Sequence, residues 1–180
     1  MRLKLIAAAC LGALALAAGA SAGTPRLALF DVHTGLAAAS HNMFGDVKVW
    51  KQSAALAARA HGATLVRCGS GCTYGAGWLA FAHAPALSAG DVSAAKAERI
   101  QGAWTVRFTL TASGRARFTS FDTKASLAGA RRGIADALVL VVDGAIVAQP
   151  LQSQLKLTGS TLDVPGLTHT NALAAAKLFG

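Results

Sequence analysis

Ala137-Leu138-Val139-Leu140-Val141-Val142-Asp143-Gly144-Ala145-Ile146-Val147-Ala148 is the stretch on which the fold reading turns. The first six residues are an unbroken apolar run of strand length, rich in β-branched side chains, as expected of a strand buried on both faces. Asp143-Gly144 is the two-residue connection that the right-handed twist of strands favours, and a second apolar run follows at once. A β-hairpin is therefore predicted, ended by Pro150, which has no amide hydrogen to give to a ladder.

Upstream of the hairpin, Trp104-Thr105-Val106-Arg107-Phe108-Thr109-Leu110-Thr111 alternates with period two. That marks a half-buried strand whose inner face carries Trp104, Val106, Phe108 and Leu110. Ser113-Gly114 opens a predicted helix through about Asp122, with Ala116, Phe118 and Phe121 on its apolar side, and a variable basic stretch leads on to Arg132. Downstream, Leu155 to Leu157 or Thr161 to Val164 supplies a last strand. A C-terminal helix spans Thr168 to Phe179, capped by Thr168 or Thr170, with Leu173, Ala176 and Phe179 facing inward. The order strand, helix, hairpin, strand, helix predicts an α+β fold, an antiparallel or mixed sheet with helices packed on one face.

The N-terminal half is less regular. Arg26 to Val32 reads as a strand, His33 to Gly45 as a polar loop, and Val47 to Ala60 as a helix stopped by Gly62. Thr64 to Cys68 and Tyr74 to Ala82 read as two strands joined by a cysteine turn. The chain thus divides into residues 1–22, an N-terminal extension over 23–84 continuous with the main sheet, and a principal part over 85–180.

Residues 1–22 have the plan of a secretory signal peptide: a basic start at Arg2 and Lys4, an apolar run from Leu5 to Ala18, and the small-residue site Ala20-Ser21-Ala22. Cleavage is expected after about Ala22, which places the mature chain in the periplasm or another extracytoplasmic compartment. The apolar run is shorter than the roughly 20 residues of a spanning helix, so no transmembrane span is expected in the mature chain. Lipidation at Cys10 is the rival, disfavoured because Ala7, not Leu, stands three residues before it.

Of the 180 residues 53% are apolar, which excludes intrinsic disorder, but much of that is alanine and only 6% are aromatic, so the core is thin. Lys and Arg number 17 against 8 Asp and Glu, and loss of Arg2 and Lys4 lowers the formal charge from +9 to +7. Outside the cytoplasm the acidic partners on offer are lipid headgroups, envelope polymers and acidic polypeptide. Nucleic acid is not expected: the densest cations, Arg115, Arg117, Arg131 and Arg132, lack interleaved aromatic rings.

Cys68 and Cys72 remain after cleavage, and an oxidising compartment favours a disulfide between them, with Gly69 and Gly71 allowing the tight bend. Such a short ring fixes a loop tip. The alternative, a metal site with His61 or His83, lacks a second cysteine pair.

One ordered set of residues carries a resemblance. Val106 to Phe118, followed by Leu138 to Pro150, resembles the head subdomain of the large periplasmic domain of SecD. Both have a strand ending in a Leu-Thr turn, Gly and Phe four apart on the next helix, an apolar strand, Asp-Gly, a second strand and Pro. Leu87 to Asp91 is similar to the opening of that subdomain, and Gly159 to Thr161 with Asn171 to Phe179 to its close. The likeness spans about residues 85–180 and implies architectural roles for Gly114, Phe118, Asp143, Gly144 and Pro150. Two departures stand out: SecD carries membrane helices that this chain lacks, and Asp122 to Arg132 is longer than the family's connection.

The resemblance implies a non-enzymatic module that takes up unfolded or extended polypeptide, by strand addition or in an apolar groove, with Arg115, Arg117, Arg131 and Arg132 flanking the surface. The alternative is an accessory subunit docked on an envelope complex. A second alternative, a small secreted metal-dependent enzyme, would rest on Asp31, His33 and His41, since Asp31 and His33 share one face of a strand. A strand-end Asp more commonly accepts from nearby backbone amides. Gly69-Ser70-Gly71 falls short of a nucleophile elbow, and neither a phosphate-cradling loop nor a zinc signature is present. No cofactor is expected.

Overall fold

The computed structural model describes residues 24–35, 49–53, 61–132 and 136–180. The predicted signal peptide, His41 and most of the predicted Val47 to Ala60 helix lie outside the described residues. The strands are β1 (Leu27–Asp31), β2 (Thr64–Cys68), β3 (Gly77–Phe81), β4 (Leu87–Ser88), β5 (Val92–Ile100), β6 (Ala103–Leu110), β7 (Leu138–Val142), β8 (Ala145–Ala148), β9 (Lys156–Thr158) and β10 (Thr161–Leu167). A single helical turn, α1 (Val32–Gly35), precedes the two longer helices α2 (Ala112–Arg132) and α3 (His169–Ala176).

The chain is α+β, and the strands form two sheets where one was predicted. The larger has six strands in the order β3-β2-β8-β7-β1-β4, and the smaller four in the order β5-β6-β10-β9. The larger sheet is mixed, because β2 meets β8 in parallel at Arg67 and Ala145 while its other pairs are antiparallel. It takes strands from both sides of residue 85, with β1 lying between β4 and β7.

The β7–β8 hairpin forms as predicted. Asp143 and Gly144 have φ of 46° and 74°, the left-handed pair of a primed turn. A side chain at Gly144 would run into the Thr24 methyl, which would have to move. Alternation along β1 and β7 then builds two cores. Leu27, Leu29, Leu138, Leu140 and Val142 face one side of the sheet, and Ala28, Phe30, Val139 and Val141 the other. The first side meets Val106, Phe108 and Leu110 of β6, Leu162 and Val164 of β10, Phe118 of α2, and Ala172 and Ala175 of α3, so both long helices share one core. Trp104 packs against that core as well, which bears out the inner face read from the period-two pattern.

Several expectations are corrected. The helix read as ending near Asp122 runs on to Arg132, because the stretch Asp122 to Arg132 has no proline and repeated alanines, and Ala125 continues its buried stripe. It starts at Ala112, with Thr111 Oγ1 accepting from the Gly114 amide at 3.0 Å. Ala116, placed on its apolar side, is exposed. In α3 the buried residues are Ala172 and Ala175, and Leu173 is 41% exposed. The inward positions expected at Leu173 and Ala176 thus fall one residue earlier, while Phe179 packs against the core beside Phe108 as read. Thr168 is its N-cap, accepting from the Asn171 amide at 3.2 Å.

Both candidates for the last strand are used, β9 and β10 pairing across a turn at Gly159. Val92 to Ile100, to which no element was assigned, is a nine-residue strand. The strand expected from Tyr74 begins at Gly77, and Trp50, placed in a helix, bridges Trp78 with main-chain bonds of 2.7 and 3.1 Å. Pro150 stands just beyond the end of β8, where the hairpin was expected to stop, but the strand it ends is not a sheet edge. β8 lies between β2 and β7, and the Pro150 carbonyl still accepts from the Leu138 amide at 2.9 Å, since proline lacks only the donor.

Candidate functional site

The predicted basic cluster is drawn along one helix and does not converge. Arg115 and Arg117 lie in the first turns of α2 while Arg131 and Arg132 end it, and the 16 residues from Arg115 to Arg131 span about 24 Å at 1.5 Å per residue. Arg117 is not a free cation: its Nη1 lies 3.1 Å from Asp91 Oδ2. That buried carboxylate also accepts from the Ser88 amide at 2.8 Å and the Ser88 hydroxyl at 2.7 Å. Arg115 and Arg131 are exposed.

Of the residues of the metal-enzyme alternative, Asp31 and His33 lie within the described residues and His41 outside them. Asp31 is buried at the end of β1, and its Oδ1 accepts from the His33 amide at 2.8 Å, tying down the start of α1. No group of three metal-ligating side chains converges among the described residues. Cys68 and Cys72 are joined by a disulfide with a Cα separation of 5.4 Å, which removes both thiolates from any metal site. The loop it closes is further held by the Thr73 amide, which donates to Gln149 Oε1 at 3.0 Å. Tyr74 in that loop has its pKa raised by burial.

Two concavities among the described residues bear on the charged side chains. A cleft of about 300 Å³ lies between the α2 face carrying Arg117, Phe121 and Lys124 and the segment with His83 and Pro85, with Asp31 at its end. A groove of about 320 Å³ lies on the outer face of the four-stranded sheet, beside Thr105, Arg107, Lys156 and Asp163. Across that face runs a ladder of charges. Arg107 on β6 donates from Nε and Nη2 to the two carboxylate oxygens of Asp163 on β10, at 2.7 and 3.0 Å, and from Nη1 to Glu98 Oε2 on β5 at 2.8 Å. Lys96 Nζ reaches Glu98 Oε1 at 2.8 Å. The Lys96 hydrogen bond, then the Arg107 charge, hold Glu98 below its usual pKa against desolvation, and Asp163 raises that of Arg107. Arg107 thus has both carboxylates as partners, while the Lys96 side chain stays 74% exposed.

The outer edge of β5 is different. Its inner neighbour is β6, paired from Ala94 with Thr109 to Ile100 with Ala103. This register puts Ala95, Ala97 and Arg99 on the face of Phe108, Val106 and Trp104, and Ala94, Lys96 and Glu98 on the outward face. On its other side β5 has no neighbouring strand and no main-chain partner among the described residues. Half of its amides and carbonyls point there. The remaining edges are closed or short: Trp50 bridges β3, the Asp91 carboxylate takes the Ser88 amide of β4, and β9 has three residues. Nine residues at about 3.3 Å each make β5 roughly 30 Å of open strand. Sequence reading missed it because Ser-Ala-Ala-Lys-Ala-Glu-Arg has the composition of a helix; the signal present was the close repeat of short apolar residues at alternate positions.

No family model matches the chain, and no curated protein matches it. Among solved structures, a crystal structure of SecDF in the super-membrane-facing form is similar over 87% of this chain, with a TM-score of 0.47 and 20% identity. The chain spans 19% of the length of that protein. Among the described residues no helix is long and apolar enough to cross a membrane.

Proposed function

We propose that this chain is an exported, non-enzymatic module of SecD-head type that holds unfolded or extended polypeptide in the cell envelope, by accepting it as an added strand on β5. Residues 1–22 serve as the cleaved signal peptide, and residues 23–84 add strands to the part, 85–180, that resembles the SecD head. The observation that carries the reading is the open β5 edge, since main-chain pairing holds extended chain with little regard to sequence. Gly114, Phe118, Asp143 and Gly144, the residues of the resemblance, support it by doing structural work where they stand. Lys96 on the strand itself and Arg115 on α2, whose neighbour Arg117 reaches the residue preceding β5, favour acidic segments. Arg131 and Arg132, at the far end of α2, steer at longer range.

Amide-resolved NMR titration with unfolded model peptides at low and high ionic strength tests this. Shifts confined to Ser93 to Ile100, with acidic peptides bound more tightly at low salt, are expected. Absence of binding at low salt, or shifts that avoid β5, would remove the reading.

A further inference from the structure

We propose that two copies of this chain pair through β5, antiparallel about a two-fold axis at Ala97, and that this self-pairing closes the edge to polypeptide. The pairing itself rests on the free edge and on the order of charges along it. Its regulatory consequence rests on the holding function proposed above.

Antiparallel neighbours across a two-fold axis set residue i against residue j and j against i. Centred on Ala97, the axis places Lys96 opposite Glu98 of the second copy and Glu98 opposite its Lys96, both on the outward face that the β6 register assigns to these residues. Centred on Lys96 or Glu98 it would set like charges against each other, and centred on Ala95 or Arg99 it would leave both unmatched, so the sequence selects one register. On the inner face the axis sets Ala97 against Ala97 and Ala95 against Arg99 of the second copy, where Ala95 and Ala97 are small and packed on the core. Lys96 is available: its side chain is 74% exposed, and its contact with Glu98 is made within the same strand. In the pair these charges alternate in sign, with Arg107 behind each Glu98. A lysine on an edge strand repels most basic intruders. Here the second copy carries the matching carboxylate.

Sedimentation velocity of the protein recovered after export, run over a concentration series without peptide, is the first test. A monomer–dimer equilibrium is expected. Lys96→Glu, at an exposed position, should weaken it on the order of ten-fold by turning two attractive contacts into two repulsive ones, and Lys96→Glu with Glu98→Lys should restore it. Ala97→Cys should cross-link to itself under mild oxidation, because the axis brings the two Ala97 positions together, and it decides the matter if the double variant does not fold. A monomer at every concentration, a dimer indifferent to Lys96→Glu, or a folded double variant no better than the single one would overturn the pairing. Peptide titration of the wild type at protein concentrations below and above the monomer–dimer midpoint reads the holding function separately. Binding below the midpoint, weakened above it as the dimer fills, is the expected result, and equal binding by dimer and monomer would refute closure of the edge.

Discussion

Gly114→Ala is the substitution on which the packing of α2 turns. Alanine exceeds glycine in helix propensity, so at an open position on α2 the change would stabilise by up to about 1 kcal/mol. Gly114, however, is pressed against the turn before β5: an added methyl would overlap the Asp91 carbonyl oxygen and stand 2.8 Å from Asp91 Cβ. Asp91 has no freedom to retreat. It is 3% exposed, its carbonyl accepts from the Thr111 amide at 2.9 Å, and its carboxylate is held by Ser88 and Arg117. Overpacking of this kind costs about 1–3 kcal/mol, with loss of part of that hydrogen-bonded turn in addition. Net destabilisation of about 2 kcal/mol is expected, or a fall of about 4–8 °C in melting temperature for a chain of this size. Urea and thermal unfolding followed by circular dichroism would measure it, with Gly90→Ala as the control, since nothing lies within 4 Å of a methyl at Gly90. A Gly114→Ala protein as stable as the wild type would refute the reasoning.

Two further outcomes follow from the charge ladder and the disulfide. Because Glu98 is held below its usual value of 4.5 by Lys96 and Arg107, its contribution to stability is complete above about that pH and is lost as pH falls through the lower folded value. Glu98→Gln should therefore lower stability in the neutral region and leave the acid extreme little changed, so that the acid limb of a stability–pH curve flattens, and an unaltered acid limb would show that the ladder does not report on folding. Reduction of Cys68–Cys72, which closes a ring of sequence separation 4, should cost no more than about 2 kcal/mol, read as a small shift of the urea midpoint with the far-ultraviolet spectrum retained. Complete unfolding on reduction would contradict a role confined to the loop tip.

What was legible in the sequence was what local chemistry decides. Asp143-Gly144 between two apolar runs has one comfortable backbone solution, and the alternation along Trp104 to Leu110 fixes which side chains go inward. What was not legible depended on distant partners. Ser93 to Arg99 would stand as a helix on propensity alone and becomes a strand because β6 lies beside it. The end of α2 carries no stop signal in its alanines, so its length is visible only in the packing of Ala125. The shift at Leu173 and Ala176 in α3 has a similar source: Leu173 is the larger apolar side chain, yet at the close approach to β5 and β6 it is Ala172 and Ala175 that are fully buried. The candidate site was illegible for a deeper reason. An edge is a property of the order of strands in a sheet, and nothing within Val92 to Ile100 states that one flank is vacant.

The place of β1 has a kinetic consequence. Leu27–Asp31 precedes both of its neighbours in the chain, Leu87–Ser88 on one side and Leu138–Val142 on the other. Its pairing with Leu87–Ser88 must wait for about sixty residues and that with Leu138–Val142 for more than a hundred, so the central seam of the larger sheet closes late and refolding should be slow for a chain of this length. Until then a nascent molecule carries the same exposed, ungripped strand that it is proposed to shelter in others.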